Sequence, residues 1–299
     1  MKRYAFLAIL LLLFCSFSVG SAFAFSLGGY DGPIKLKFSN WEEQRTDLPI
    51  PYEQNNGDGV TDNWGIFDIT QILADDGTNN ELWARGDSGE YLIGVFYGFD
   101  YQSLIPDGTG GLDGQSVGGQ FDLYLATANT LDATQGTGGY YDTDGIAWNE
   151  YQGITDQGYE AFASMIAVPG IDPTNDATQD GNFDTTTLPA GGDAAFYGSI
   201  IPDSGLFWEW LDTNGYTRVF TPDGGLPGSG ISVADVYGIN DFFVNDGSIT
   251  PVQGDWDLLS EDPIRGNWSN IPEPSTMLLL GAGLMGFAGV ARRIRRKKA

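Results

Sequence analysis

Carboxylates are the reactive side chains that this sequence offers in abundance. The 299 residues contain 40 Asp and Glu against 14 Lys and Arg, no histidine, and a single cysteine, Cys15. Without histidine, a Ser-His-Asp triad, a Cys-His dyad and an imidazole metal site are excluded. Cys15 lies in an apolar N-terminal run that reads as a signal peptide, so disulfides, thiolate zinc sites and a cysteine nucleophile are not expected in the mature chain.

Asp-rich loops offer candidate sites for Ca²⁺. The first candidate set has the spacing of the early ligands of an EF-hand loop and consists of Asp176, Thr178, Asp180 and Asp184. Gly181 supplies the turn, although Thr187 stands where an EF-hand has its bidentate Glu. The second set is Asn56, Asp58 and Asp62, and segment 142–145 is a weaker third. The alternative is ordinary turn chemistry, because tight turns also select Asp, Asn and Gly.

Aromatic residues beside carboxylates suggest a second kind of site, for carbohydrate. The sequence contains 8 Trp, 14 Tyr and 18 Phe. Sugar rings stack on flat apolar faces while their hydroxyls form hydrogen bonds to acids. The candidate glycan-binding residues are Trp208, Trp210, Tyr141 and Trp148. The competing explanation is that these rings belong to strands and to the core.

Glycoside hydrolysis is a catalytic class that remains compatible with this composition. Two carboxylates suffice for that reaction, which needs neither histidine nor cysteine. Glu150, Glu160 and Glu209 are the candidates, because they lie among aromatic residues or next to predicted strands. Their spacing singles out no pair, and we therefore expect a protein without catalytic activity.

Strands are the elements that must position these residues. Segments 34–38 and 121–125 alternate strictly between apolar and polar residues, which places Phe121, Leu123 and Leu125 on one buried face. The other predicted strands are 64–73, 90–99, 161–168, 194–201, 216–220 and 241–244. Gly- and Asp-rich loops separate them, and a short helix near 233–237 is the one helix expected in this part of the chain. The pattern predicts an all-β, antiparallel, β-sandwich-like body.

The body is strongly acidic. All 40 acidic residues lie between Asp31 and Glu273, where only six basic residues occur, so the formal charge of this part is near −34. This charge opposes binding to nucleic acid or anionic lipid and favours neutral polymers and calcium. The many aromatic residues predict a folded core rather than disorder, in one domain or two.

The N-terminus has the parts of a secretory signal. Basic residues at positions 2 and 3 precede an apolar run from Tyr4 to Phe14, and Ala22 and Ala24 form an A-x-A site. The pattern predicts export by the Sec machinery and cleavage after Ala24. A retained membrane anchor is the alternative, although the apolar run is short for a bilayer span.

The C-terminus has three parts in sequence: Pro272-Glu273-Pro274, an uncharged apolar stretch at 277–291 and a basic cluster at 292–298. The prolines cannot continue a helix and mark an extended, protease-accessible segment. The stretch is shorter than the ~20 residues that comfortably span a bilayer, a gap that snorkelling arginines can close. The pattern predicts a single transmembrane helix with its basic end in the cytoplasm; an ordinary tail anchor is the alternative.

Residues 271–299 resemble the PEP-CTERM sorting signal, the recognition sequence of bacterial exosortases. The tripeptide, the apolar helix and the Arg cluster follow the order of that family. The resemblance implies that an exosortase cuts near 272–274 and releases the body to the outer surface or extracellular matrix of a Gram-negative cell. It also implies an association with exopolysaccharide production. Such signals occur on unrelated bodies, so the resemblance does not identify what this body binds.

A second resemblance lies within the body. Segments 63–72, 81–83 and 91–98 are similar to a segment found in several PEP-CTERM proteins, and this similarity brings no assigned activity. The predicted organisation is therefore a signal peptide at 1–24, an acidic β-rich body at 25–270 and a sorting signal at 271–299. The expected role is structural or adhesive association with exopolysaccharide, with Ca²⁺ helping to hold loops or bridge acidic surfaces. The alternatives are a carbohydrate-binding module for a defined glycan and a two-carboxylate hydrolase.

Overall fold

The computed structural model describes residues 25–45, 62–106, 112–141, 149–170, 181–187, 191–220, 228–244, 256–261 and 263–269. The strands in these ranges are β1 Gly32–Arg45, β2 Asp62–Ala74, β3 Glu81–Ala84, β4 Tyr91–Pro106, β5 Leu112–Ala126, β6 Glu160–Val168, β7 Gly181–Thr187, β8 Gly191–Ile200, β9 Tyr216–Phe220, β10 Gly230–Ala234, β11 Val236–Val244, β12 Leu258–Glu261 and β13 Ile264–Trp268. The helical elements are the α-helical turn α1 Trp208–Leu211 and the 3-10 turns Asp87–Gly89, Ala133–Gly139 and Thr155–Gln157.

The strands form a closed antiparallel barrel. In order around the barrel, its eight strands are β1, β2, β4, β5, β6, β8, β11 and β13. The sheet closes because β13 pairs with β11 on one side and with β1 on the other. The prediction of an all-β, antiparallel body is confirmed, whereas the prediction of a sandwich is wrong. Alternating strands bury one face in either architecture, and the pairing of β13 with β1 decides between them.

Two positions around the barrel are each shared by two strands. β12 also lies between β1 and β11, beyond the end of β13. β12 and β13 therefore occupy the same position in the barrel wall, one after the other. In the same way, β7 continues β6 between β5 and β8. β3 extends the sheet from β2, and β9 and β10 form a separate two-stranded ribbon.

The interior is packed with aromatic and aliphatic side chains. Phe121, Leu123 and Leu125 all pack in this interior cluster, as the alternation of β5 predicts. Phe121 stacks on Phe196 of β8, with ring centroids 5.0 Å apart. These contacts join strands that are separated by β6, so a single core holds the barrel walls together.

One end of the barrel, where β1 begins, is closed by an aromatic plug. Phe25, which precedes β1, is 3% exposed. Its ring lies 4.9 to 5.9 Å, between centroids, from four other rings: Trp83, Phe162, Phe207 and Trp268. A chain that began after Phe25 would therefore lack a core residue.

The interior of β1 and its neighbours becomes polar toward the opposite end. Asn40 of β1 accepts a backbone hydrogen bond from Ser260 of β12 at 3.0 Å and a second bond from the Ser260 hydroxyl. Asn63 of β2 donates from Nδ2 to Glu42 Oε1 at 2.6 Å. All four side chains are buried. Buried polar groups of this kind are tolerated because they are hydrogen-bonded to one another.

An outer layer covers β2 and β4. The connection between β5 and β6 brings Tyr151 and Ile154 over the outer faces of these strands, and both are 0% exposed. Trp256 joins this second cluster and donates from Nε1 to the carbonyl oxygen of Ala133 at 2.9 Å. The long β5–β6 connection is therefore packed onto the barrel wall.

One local element differs from the sequence prediction. The short helix expected near 233–237 is wrong, because these residues end β10 and begin β11. Asp235 lies between the two strands, and its carboxylate accepts the backbone N–H groups of Ile200 and Asn214 at 2.7 and 2.6 Å. These bonds hold the corner between the ribbon and the barrel.

An ion pair under the outer layer predicts a pH effect on stability. Asp68 of β2 is 1% exposed, and its Oδ2 lies 2.6 Å from Nη1 of Arg85. Arg85 also donates from Nη2 to Asn129 Oδ1 at 2.7 Å, which links β2 to the β5–β6 connection. Burial raises the pKa of Asp68, and the Arg85 charge offsets this only in part.

A raised pKa means that the folded chain binds this proton more tightly than the unfolded chain does. The carboxyl therefore contributes stability below its unfolded pKa of about 4 and loses that contribution as the pH rises through its folded pKa. We expect the free energy of unfolding of the wild type, minus that of Asp68→Asn, to fall as the pH increases from about 4 and then to level off. Urea unfolding of the wild type and of Asp68→Asn, at a series of pH values from about 4 upward, measures this difference in the free energy of unfolding. A difference that rises with pH would contradict the assignment.

Candidate functional site

A half-exposed polar surface lies on the outer face of β4 and β5. Because side chains alternate along a strand, Ile93, Val95 and Tyr97 of β4 share this face with Gln120, Asp122 and Tyr124 of β5. The register places Tyr97 opposite Gln120 and places Val95 opposite Asp122. The polar side chains thus stand side by side at the border of the apolar outer cluster.

The Asp122 carboxylate is held by two neighbours. Tyr97 donates from its hydroxyl to Oδ2 at 2.9 Å, and Gln120 donates from Nε2 to Oδ1 at 2.9 Å. Each carboxylate oxygen has a second lone-pair direction, so both can accept a further hydrogen bond. The side chain is therefore oriented in advance for a ligand that donates hydroxyl groups.

The β5–β6 connection adds further groups to this surface. Burial raises the pKa of Tyr124, and the charges of Asp122 and Glu150 raise it further, which places both carboxylates near the phenol. Burial also raises the pKa of Tyr141, whose hydroxyl lies 3.1 Å from Oγ1 of Thr155. Both phenols are therefore neutral at physiological pH and can donate hydrogen bonds.

We call this surface the tyrosine–carboxylate face. Its members are Tyr97, Gln120, Asp122, Tyr124, Tyr141 and Glu150. All six side chains are partly exposed. The set combines carboxylate acceptors, phenol and amide donors and flat rings, which is the combination that recognises the hydroxyls and the apolar faces of a sugar.

The predicted glycan-binding residues fall in different parts of the molecule. Tyr141 belongs to the tyrosine–carboxylate face, and Trp148 lies outside the described residues. Trp208 and Trp210 lie on α1 and pack against the aromatic plug. The Trp210 ring contacts Trp268 edge-on, with centroids 4.8 Å apart. The two tryptophans are therefore partly buried in the core, as the competing explanation supposes.

The predicted catalytic carboxylates are also separated. Glu150 lies at the tyrosine–carboxylate face, whereas Glu160 and Glu209 are exposed, at the start of β6 and on α1. The spacing of these glutamates in the sequence could not reveal that the charges of Asp122 and Glu150 both raise the pKa of Tyr124.

The predicted calcium ligands lie largely outside the described residues. This applies to Asp176, Thr178 and Asp180, and to Asn56 and Asp58. The backbones of Asp184 and Asp62 lie in β7 and β2. Within the described part of the chain, no group of three or more acidic side chains is arranged to hold a metal ion. The calcium sites stay predictions.

The C-terminal residues place the chain among exported proteins that pass through a membrane. The particular signal is a PEP-CTERM protein-sorting motif, whose family model matches residues 270–296. The predicted sorting residues Pro272, Glu273 and Pro274 lie within the match, which confirms the resemblance. The motif implies exosortase as the processing enzyme. No curated protein and no solved structure matches the chain.

The structure leaves the geometry of both terminal signals undescribed. The cleavage residues Ala22 and Ala24, the sorting tripeptide and the apolar stretch at 277–291 lie outside the described residues. Among the helices that are described, none has the length and apolar character needed to cross a membrane.

Proposed function

We propose that this chain is an exported surface or matrix protein that holds extracellular polysaccharide through its tyrosine–carboxylate face. The observation that carries the proposal is the Asp122 carboxylate, fixed by Tyr97 and Gln120 on a partly exposed wall of the barrel. The role is structural or adhesive, with binding and without turnover. The chain leaves through the Sec machinery, is held briefly in the inner membrane and is released by exosortase to the outer surface of a Gram-negative cell.

The buried position of Phe25 supports the proposed maturation. Cleavage after Ala24 makes Phe25 the first residue of the mature chain and keeps its ring in the aromatic plug. A cut even one residue later would remove a side chain that contacts four rings. The packing of Phe25 therefore supports a cleavage site no later than Ala24, and the A-x-A pattern is the basis for proposing the cut at that residue.

A neutral glycan is the ligand class that suits this face. Its carboxylates, Asp122 and Glu150, carry negative charge, and the whole body has an excess of acidic residues. An anionic sugar placed there would meet repulsion from both. A neutral sugar instead donates its hydroxyls to the carboxylates, and such charge-assisted bonds are stronger than neutral ones.

Sedimentation of the exported protein with polysaccharide from the producing cells tests the proposal. Anion exchange first separates the neutral fraction of the polysaccharide from the acidic fraction. We expect saturable binding of the neutral fraction, with the Kd at least about tenfold higher for Asp122→Asn, since one hydrogen bond to a charged group contributes ~1.5–3 kcal/mol. Tyr97→Phe, which keeps the ring and removes the donor, should weaken binding by a smaller factor.

Tyr159→Phe is the matched control. Tyr159 also lies in the outer layer, where its hydroxyl is 3.0 Å from Oγ1 of Thr130, away from Asp122. Its variant should bind as the wild type does. Equal loss in both tyrosine variants, or no binding of the neutral fraction by the wild type, would overturn the proposed role of this face.

A further inference from the structure

A second surface gathers basic side chains on an otherwise acidic body. Lys35 of β1 pairs in register with Arg265 of β13. Arg265 pairs in turn with Tyr237 of β11, and Tyr237 pairs with Tyr197 of β8. These four residues form a continuous row across four neighbouring strands, on the outer side of the barrel. Two of the six basic residues between Asp31 and Glu273 are therefore adjacent in this row.

Among the described residues, Asp75 is the carboxylate that forms ion pairs with both cations. Asp75 lies 3.0 Å from Nζ of Lys35 and 3.4 Å from Nε of Arg265. Lys35 also donates to Asn79 Oδ1 at 2.9 Å, which ties it to the turn after β2. Arg265 is the more accessible cation, with 45% of its side chain exposed. In the described ion pairs at this point, two cations therefore share one carboxylate.

Arg218 adds a further cation to the same surface. It lies on β9, and its guanidinium carbon is 4.3 Å from the ring centroid of Tyr197 and 5.9 Å from that of Tyr216. The Tyr197 ring is in turn stacked on Tyr237, with centroids 4.8 Å apart. Among the described residues, no carboxylate forms an ion pair with Arg218. Within the described part of the chain, the contacts that hold the guanidinium are therefore with aromatic rings, which leave its positive charge in place.

We infer that this surface, the basic–tyrosine face, binds a uronic-acid residue of an acidic polysaccharide. Its members are Lys35, Arg265, Arg218, Tyr197, Tyr216 and Tyr237. A guanidinium matches a carboxylate in a planar, two-bond geometry, and arginine at 218 and 265 provides that fork beside tyrosine rings. A sugar that bears a carboxylate uses both features, because its charge pairs with arginine while its ring lies on the partly exposed Tyr216 or Tyr237. Tyr197 is only 6% exposed, and it contributes by stacking against Arg218 and Tyr237.

The charge of the body does not prevent this local attraction. At physiological ionic strength, charges further apart than roughly 8 Å are largely screened, whereas a contact pair at the face is screened much less. The overall negative charge instead restricts binding to the place where cations exceed carboxylates. This site is independent of the tyrosine–carboxylate face, since the two faces share no residue.

Calorimetric titration of the exported protein with a trimer of galacturonic acid tests the inference. The fully methyl-esterified trimer, which is neutral, and a glutamate hexapeptide, which is anionic without sugar rings, are the comparison probes. We expect the acid trimer to bind at least tenfold more tightly than either. Arg218→Gln and Arg265→Gln should each weaken binding of the acid trimer about tenfold.

Lys37→Gln is the matched control, because Lys37 is an exposed cation of β1 that contacts none of these tyrosines. It should change the affinity less than twofold. Arg218→Lys, which keeps the charge and loses the planar fork, should fall between the wild type and Arg218→Gln. Equal binding of the ester, equal binding of the hexapeptide, or an equal loss in Lys37→Gln would each overturn the uronate site. Asp122→Asn should leave uronate binding unchanged, so failure of the two proposals can be told apart.

Discussion

Replacing Pro272, Glu273 and Pro274 with alanine should leave nearly all of the chain, uncut, in the inner-membrane fraction. The tripeptide lies within the matched PEP-CTERM motif, and exosortase is the enzyme that the motif implies. The alanine variant keeps the apolar stretch at 277–291 and the basic cluster that follows, so the membrane insertion predicted from the sequence is preserved. The variant then removes only the recognition of the tripeptide by exosortase.

Fractionation of producing cells, followed by immunoblotting of membrane and medium, measures this result. The matched control changes the next two residues, Ser275 and Thr276, to alanine, because they lie beside the tripeptide and outside it. The control should be released as the wild type is. Normal release of the tripeptide variant would show that the tail is not cut at this motif, and release of neither protein would point to a wider recognition segment.

Strand positions could be predicted from the sequence because alternation records which side chains are buried. The segments at 34–38 and 121–125 lie in β1 and β5, and Phe121 and Leu125 face the interior as predicted. Closure of the barrel could not be predicted. It depends on the pairing of β1 with β13, which joins the two ends of the body, and no local pattern specifies a pairing over that separation.

The packing role of glycines inside strands could not be predicted, although the strands that contain them were. A glycine in a strand usually weakens it, so Gly65 and Gly94 carry no strand signal of their own. In the barrel, a Cβ atom on Gly94 would lie 2.4 Å from the Phe67 ring, and a Cβ on Gly65 would lie 2.5 Å from the Phe96 ring. The missing side chains make room for rings on the neighbouring strands. That requirement becomes visible only when the strand register is known.

The candidate site was partly predictable because alternation along a strand shows which side chains share a face. Alternation along β5 already places Asp122 and Tyr124 on the face opposite Phe121. Tyr141 and Glu150 are candidates from the sequence because aromatic residues and carboxylates are neighbours there. Tyr97 and Asp122, however, are 25 residues apart in the sequence and meet through the register of β4 with β5. The sequence lists the groups that can bind a sugar, whereas strand pairing determines which of them stand together.

Trp268 is a core residue of the aromatic plug, so its expected role is in folding rather than in binding. Trp268 of β13 is 2% exposed and contacts Phe25, Phe162, Phe207 and Trp210, with ring centroids 4.8 to 6.4 Å away. It lies on the strand that closes the barrel and touches the segment that precedes β1. Removal of this ring would leave a cavity between the closing strand and the plug, where the surrounding rings relax only in part.

Trp268→Ala should therefore lower the free energy of unfolding by about 3–5 kcal/mol, a large share of the ~5–15 kcal/mol typical of a folded domain. Urea unfolding followed by circular dichroism measures the change as a lower midpoint with an unchanged slope. Ile231→Ala is the control, because Ile231 is a large apolar residue with 68% exposure on the β9–β10 ribbon. Its effect should stay within about 0.5 kcal/mol. Similar losses in the two variants would mean that Trp268 does not belong to the core and that closure through β13 contributes little to stability.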